Sequence, residues 1–320
     1  MKKATFIFLA LTAGITTSCA KNTNRRPCNI VEERFVHKYG MEVEQKDWQA
    51  RGNNGQVITK LDDGVVLTQT YKDGQLDGVT TYTHPHSESI EIVETYVNGM
   101  LTNRVTNNDM GRPVEEVDYT PDGFEIVTTW FEGGIPQSRE MYKSNQLIEG
   151  EYFTPTHQLE SRVDNGEGTR IVRNNYGDLL SKDLYDSGYV VMKSTFHPNG
   201  TLKAVTPFAN NKPHGERKIF HPAGEPDKVE QWVGGKQHGV TITFKNGEKR
   251  AEIPYVKGKK HGTEKRYRGG HDIVQELSWK DGKKHGPTIT YVDGEASKTV
   301  WFHKGKSVTE SSYNQKNKSR

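Results

Sequence analysis

The stretch Trp279-Lys280-Asp281-Gly282-Lys283-Lys284-His285-Gly286 recurs upstream with little change. It returns at 232–239 as WVGGKQHG, at 255–262 as YVKGKKHG and, with Asn211 replacing the first glycine, at 208–215 as FANNKPHG. The lead aromatics Phe208, Trp232, Tyr255, Trp279 and Phe302 stand 24, 23, 24 and 23 residues apart. A period between about 20 and 50 residues is the signature of a stacked repeat array. A second aromatic, Phe220, Phe244, Tyr267 or Tyr291, follows 12 residues after each of the first four, so every repeat has two near-equal halves.

Each half reads as a short strand and a turn. Thr241-Ile242-Thr243-Phe244 and Thr288-Ile289-Thr290-Tyr291 alternate polar and apolar side chains with period two, as a half-buried strand does. The glycine three residues after the aromatic (Gly235, Gly247, Gly258, Gly282, Gly294, Gly305) belongs where φ must be positive, and Asn211 is the usual substitute. Strand and turn at this pitch give successive antiparallel hairpins, with the aromatics expected in register on one face as the core. The ladder extends, with decay, back to Leu61, with rungs missing at Asn108 and Asn174. Those two points are expected to pack loosely or to be seams where the sheet bends. Roughly twenty-two strands at about 4.8 Å each would make an elongated body.

The octet resembles the MORN repeat, and the array as a whole resembles the bacterial variant of that family, strongly across 208–305 and in degenerate form across 61–200. It departs from the eukaryotic form where Pro287 and Thr288 follow Gly286. The resemblance implies an all-β chain: an elongated single-layer antiparallel sheet of stacked hairpins, a MORN-like solenoid. It implies no enzymatic activity and no cofactor.

The chain opens Met1-Lys2-Lys3, runs apolar over 4–15 and reaches Thr16-Thr17-Ser18-Cys19. A positive start, a short apolar stretch and small residues describe an export signal. The apolar run is too short to span a bilayer, which takes about 20 residues. Ser18-Cys19 is similar to the end of a lipobox, which would make Cys19 the lipid attachment site; a cut after Ala20 is the alternative. The expected organisation is a lipoprotein-type signal peptide over 1–18, a tether and N-terminal cap over 19–45, degenerate repeats over 46–200, well-formed repeats over 201–313 and a polar tail over 314–320. Within the cap, 29–39 has weak helical spacing. The only cysteines are Cys19 and Cys28, so no disulfide framework supports the fold.

Residues 201–320 carry 24 Lys and Arg against 13 Asp and Glu, whereas 21–200 carry 18 against 28. The basic part places Lys259, Lys260, Lys283 and Lys284 beside a row of equivalent histidines, His214, His238, His261 and His285. Two strands, on the order of 10 Å, would separate successive histidines, too far for several to share one metal. The candidate binding edge is therefore His238, Lys259, Lys260, His261, Lys283, Lys284 and His285, facing an anionic lipid, an anionic polysaccharide or an acidic protein partner and not nucleic acid. His84 and His86 flank Pro85 without a further ligand at metal spacing. No nucleophile elbow, P-loop or paired-cysteine motif occurs. The expected function is a non-catalytic binding scaffold at the cell envelope, held by a lipid anchor, or secreted or periplasmic if unlipidated. The alternative is a structural envelope component that associates with itself or with anionic lipid through its basic half.

Overall fold

A computed structural model describes residues 29–318, so the signal segment, Cys19 and Cys28 lie outside the described residues. The described chain is all-β, with 29 strand segments in open antiparallel sheet and two short helices, and within each unit successive strands pair as a meander. It divides into compact units at Gly111/Arg112, within the turn that Asn108 begins. Of the two missing rungs, Asn108 lies in the turn at this division. Asn174 instead opens an ordinary turn inside the second unit, where Gly177 N–H donates to its carbonyl at 3.0 Å.

The turns alternate between two kinds along successive hairpins. On one edge two consecutive residues take positive φ, as at Lys257 (50°) and Gly258 (82°), Asp281 (52°) and Gly282 (80°), or Asn210 (51°) and Asn211 (57°). This is the mirror-image turn that matches strand twist. On the other edge most turns are longer and close on a single positive φ, as at Gly200 (79°), or at His157 (61°) where no glycine is present. Several octets split one expected strand into two segments, such as Lys259–Lys260 and Gly262–Arg268. The cause is the histidine between them. Its N–H leaves the regular ladder and donates back to a proline or glutamine carbonyl, His214 to Pro207 at 2.9 Å, His238 to Gln231 at 2.8 Å and His261 to Pro254 at 3.0 Å.

Register sets which side chains share a face. Gly215 pairs with Trp232, Gly239 with Tyr255, Gly262 with Trp279 and Gly286 with Phe302. Each of these four aromatics therefore sits beside a residue that has no side chain, and its ring has room to lie over the neighbouring strand. The second aromatics do not join this face. Tyr267 lies five residues, an odd number, after Gly262 on the same strand, so it points to the opposite side. Its hydroxyl donates to Glu252 Oε2 at 2.9 Å, and Tyr291 donates likewise to Glu276 Oε2 at 2.9 Å. The one-face stack of rings expected from the sequence is thus two series on opposite faces.

The dense packing is also elsewhere. Leu147, Tyr152, Val163 and Ile171 form one buried cluster, with Tyr142, Leu179 and Tyr185 against it. The looser packing expected near Asn174 is therefore absent. A second cluster joins Phe35 and Val57 to Trp48, which the helix Gln45–Ala50 lays over the first strands of the sheet. The segment expected to be helical near the N-terminus is the strand Ile30–His37, whose pairing with Gly55–Leu61 overrides its weak helical spacing. At the other end the expected polar tail is mostly the helix Glu310–Lys318, anchored by Tyr313 on Trp301, with ring centroids 5.0 Å apart.

Candidate functional site

In the second unit, the edge of two-residue turns brings the octet's charged residues together. Successive turns are tied to one another. The turn glycine N–H donates to the residue before the previous repeat's histidine: Gly235 to Pro213 at 2.9 Å, Gly258 to Gln237 at 2.8 Å, Gly282 to Lys260 at 2.9 Å and Gly305 to Lys284 at 2.8 Å. Histidine side chains add a second tie. His261 Nδ1 lies 3.6 Å from Asp281 Oδ1, and Lys304 N–H donates to His285 Nδ1 at 3.3 Å. Both histidines therefore reach the first residue of the next turn. The octet's histidine is a splice between repeats. His238 is exposed at the same place one repeat earlier.

The paired lysines separate into two roles. Lys260 Nζ lies over the Trp279 ring at 4.6 Å and binds Glu264 Oε2 at 2.8 Å; Lys284 Nζ lies over the Phe302 ring at 4.9 Å. These two cover rings by cation–π contact and serve the fold. Lys259 and Lys283 are exposed and make no salt bridge among the described residues. The expected binding edge thus keeps Lys259 and Lys283 as available charges, while Lys260 and Lys284 are committed to packing.

Lys259 and Lys283 open onto a groove of about 410 Å³, which Lys304, Lys316, His285 and His303 also line. The helix Glu310–Lys318 contributes its wall, because Tyr313 packs on His285 and His303 with ring centroids 5.3 and 6.3 Å away. His285 and His303 themselves stand 5.0 Å apart. Asp281 is the one carboxylate in the lining. Such a site can hold an anion by charge. It offers no nucleophile paired with a base, and among the described residues no group of three or more His, Cys, Asp or Glu could hold a metal ion.

The face carrying the lead aromatics holds a feature that sequence reading missed, a series of buried carboxylates. Glu94 in the first unit and Glu140, Asp183 and Glu230 in the second each precede an aromatic by two residues, and Glu264 stands opposite Leu277, which precedes Trp279 by two. Each has a cation: Arg104 on Glu94, Arg170 on Glu140 (3.0 Å for Nη2 to Oε2), Lys193 on Asp183 at 2.9 Å, Arg217 on Glu230 at 3.3 Å, and Lys260 with Arg266 on Glu264. Burial acts to raise the Glu264 carboxyl, but hydrogen bonds from Lys260 and Arg266 outweigh it and hold the group below its ordinary range. At Tyr82 burial and the neighbouring Glu94 together push the phenol far up. For Glu94, Asp183 and Glu230 the available signal was an acid two residues before an aromatic, with a base directly opposite on the paired strand.

No protein-family model matches the chain, and no curated protein matches it. Among solved structures, the chain is similar to one titled TcdB2-TccC3-TEV, at 11% identity, covering 86% of this chain and 16% of that one, with a TM-score of 0.17. It is also similar to a porin-like protein from Bacteroides uniformis ATCC 8492, at 10% identity, covering 86% of this chain and 95% of that one, with a TM-score of 0.17. No helix among the described residues is long and apolar enough to cross a membrane, which leaves strands unaddressed.

Proposed function

We propose that the chain is an exported scaffold, lipid-anchored through Cys19 at the cell envelope, that acts by binding rather than by catalysis. The observation that supports it is the groove at the turn edge. Its lysines lack carboxylate partners among the described residues, so they are not there to hold the fold together. Charges left unpaired at one rim serve recognition of an opposite charge. The lipid anchor rests on the sequence around Ser18-Cys19.

The test is fractionation of cells producing the full chain or its Cys19→Ala variant, with intact mass of the product. The expected result is a membrane-associated chain beginning at Cys19 and carrying acyl chains, and release of the variant to the soluble fraction. An unlipidated product beginning at Lys21 would remove the anchor from this reading. A second reading, a structural component that meets anionic lipid through its basic half, is favoured by the excess of 11 positive charges over 201–320. It predicts salt-sensitive binding to anionic vesicles, absent on zwitterionic ones.

A further inference from the structure

We propose that the two-residue-turn edge of the second unit binds a linear anionic polysaccharide, laid across successive turns and held by Lys212, Lys236, Lys259, Lys283 and Lys306. This rests on the binding-scaffold reading and names the ligand class for it. In every repeat a lysine immediately follows the second turn residue, Asn211, Gly235, Gly258, Gly282 or Gly305. All five are exposed, and their side chains make no hydrogen bond or salt bridge to another described residue. Over 210–213, 233–237, 256–260, 280–284 and 303–306 stand ten lysines against a single carboxylate, Asp281.

Geometry selects a chain-like ligand. The glycine-to-carbonyl bonds between turns lock successive lysines two strands apart, on the order of 10 Å. That is close to the length of an extended disaccharide, so a polymer with an acid group on each repeating unit meets one lysine per step. Adjacent steps are about one Debye length apart at physiological salt, so each contact adds nearly independently and binding grows with polymer length. The same bonds consume the turn glycine N–H groups, which leaves little main chain for an extended peptide to pair with. The charges form a comb one residue wide along a rim, whereas a membrane presents a plane. At its C-terminal end the comb enters the groove between Lys283, Lys304 and Lys316, where an end unit of the polymer can be enclosed on the helix side.

The experiment measures binding of the full chain to alginate and to dextran sulfate, each as a length series, with neutral dextran, poly-glutamate and anionic vesicles alongside. A variant with Lys236→Glu, Lys259→Glu and Lys283→Glu is compared with one of equal charge change at the other edge and strands, Lys245→Glu, Arg268→Glu and Lys298→Glu. The expected result is binding to one or both anionic polymers that strengthens with length, is lost in high salt, and falls about tenfold or more in the first variant but far less in the second. Equal losses in both variants, or no polymer binding, would overturn the proposal. So would tighter binding of vesicles or poly-glutamate than of either polymer. Thermal melts check that both variants fold, which is expected because none of the three turn-edge lysines carries a partner. Continued recovery of the wild type with membranes while polymer binding is absent would sink this inference and leave the scaffold reading standing.

Discussion

Single residues in this sheet are constrained mainly by what stands across the strand. Glu264, with a side chain only 2% accessible, sits between Lys260 and Arg266. Removing one partner of a buried ion pair strands the others, so Glu264→Gln is expected to cost about 3 kcal/mol at neutral pH in denaturant unfolding. The sign of the pH effect follows from its depressed folded-state pKa. Its contribution is complete above the ordinary value of 4.5 and is lost as pH falls through the lower folded value, so the gap between variant and wild type should close in acid. A gap that persists unchanged well below that value would show that the carboxylate's charge is not what stabilises the fold. Gly286 carries a different constraint. Its φ is 107°, and a Cβ there would lie 2.9 Å from Ser278 Cβ. Gly286→Ala is expected to lower stability by about 1 to 3 kcal/mol, read as a shift in the midpoint of unfolding.

At the scale of elements, the lead aromatics work as covers rather than as a closed core. Trp279 is half-buried, paired across the ladder with Gly262 and capped by Lys260. Trp279→Ala should therefore cost about 2 kcal/mol, below the roughly 3 to 5 kcal/mol of a fully buried ring. A loss below about 1 kcal/mol would mean that the ring contributes no cover at all. The helix Glu310–Lys318 has no buried residue and holds by Tyr313. Tyr313→Ala is expected to release it, seen as loss of helical signal and of protection over 310–318 with the strands unchanged. Because Lys316 lines the groove from this helix, the same variant should also weaken binding of an anionic polymer to the wild-type edge.

For the molecule as a whole, stability in a repeat array is carried by nearest neighbours, so it need not be uniform. The clusters around Leu147 and Val163 and around Trp48 are the densely packed places. The strand Glu295–His303 is exposed over most of its length and pairs on one side only with Lys306–Val308, through 301–303. Native-state hydrogen exchange is expected to show the greatest protection in Gln146–Phe153 and Glu167–Arg173 and the least in 295–300. Uniform protection across the chain would mean that it opens as one unit. The octets most regular in sequence are thus not the most deeply packed. Their regularity lies at the edge, where the same kind of turn is followed each time by a lysine.

Much of this fold is readable without coordinates because its decisive interactions are local. A period of 23 or 24, alternation of polar and apolar residues, and glycine or asparagine at fixed turn positions follow from the φ that a two-residue hairpin turn demands, and Gly235, Gly258, Gly282 and Asn211 all adopt it. What stands opposite what is a different matter. That Tyr267 and Trp279 lie on opposite faces, that Glu94, Asp183 and Glu230 meet Arg104, Lys193 and Arg217 across a strand pair, and that Lys260 is committed to a ring while the Lys259 side chain is free all depend on register between strands. Register is settled by bulges and cross-strand fit, such as the pairing of Gly262 with Trp279, and those are properties of two segments meeting rather than of either alone. The sequence by itself determined the repeat, the turns and the row of lysines; the tertiary structure decided which face each side chain joins and which charges are taken up by rings and carboxylates.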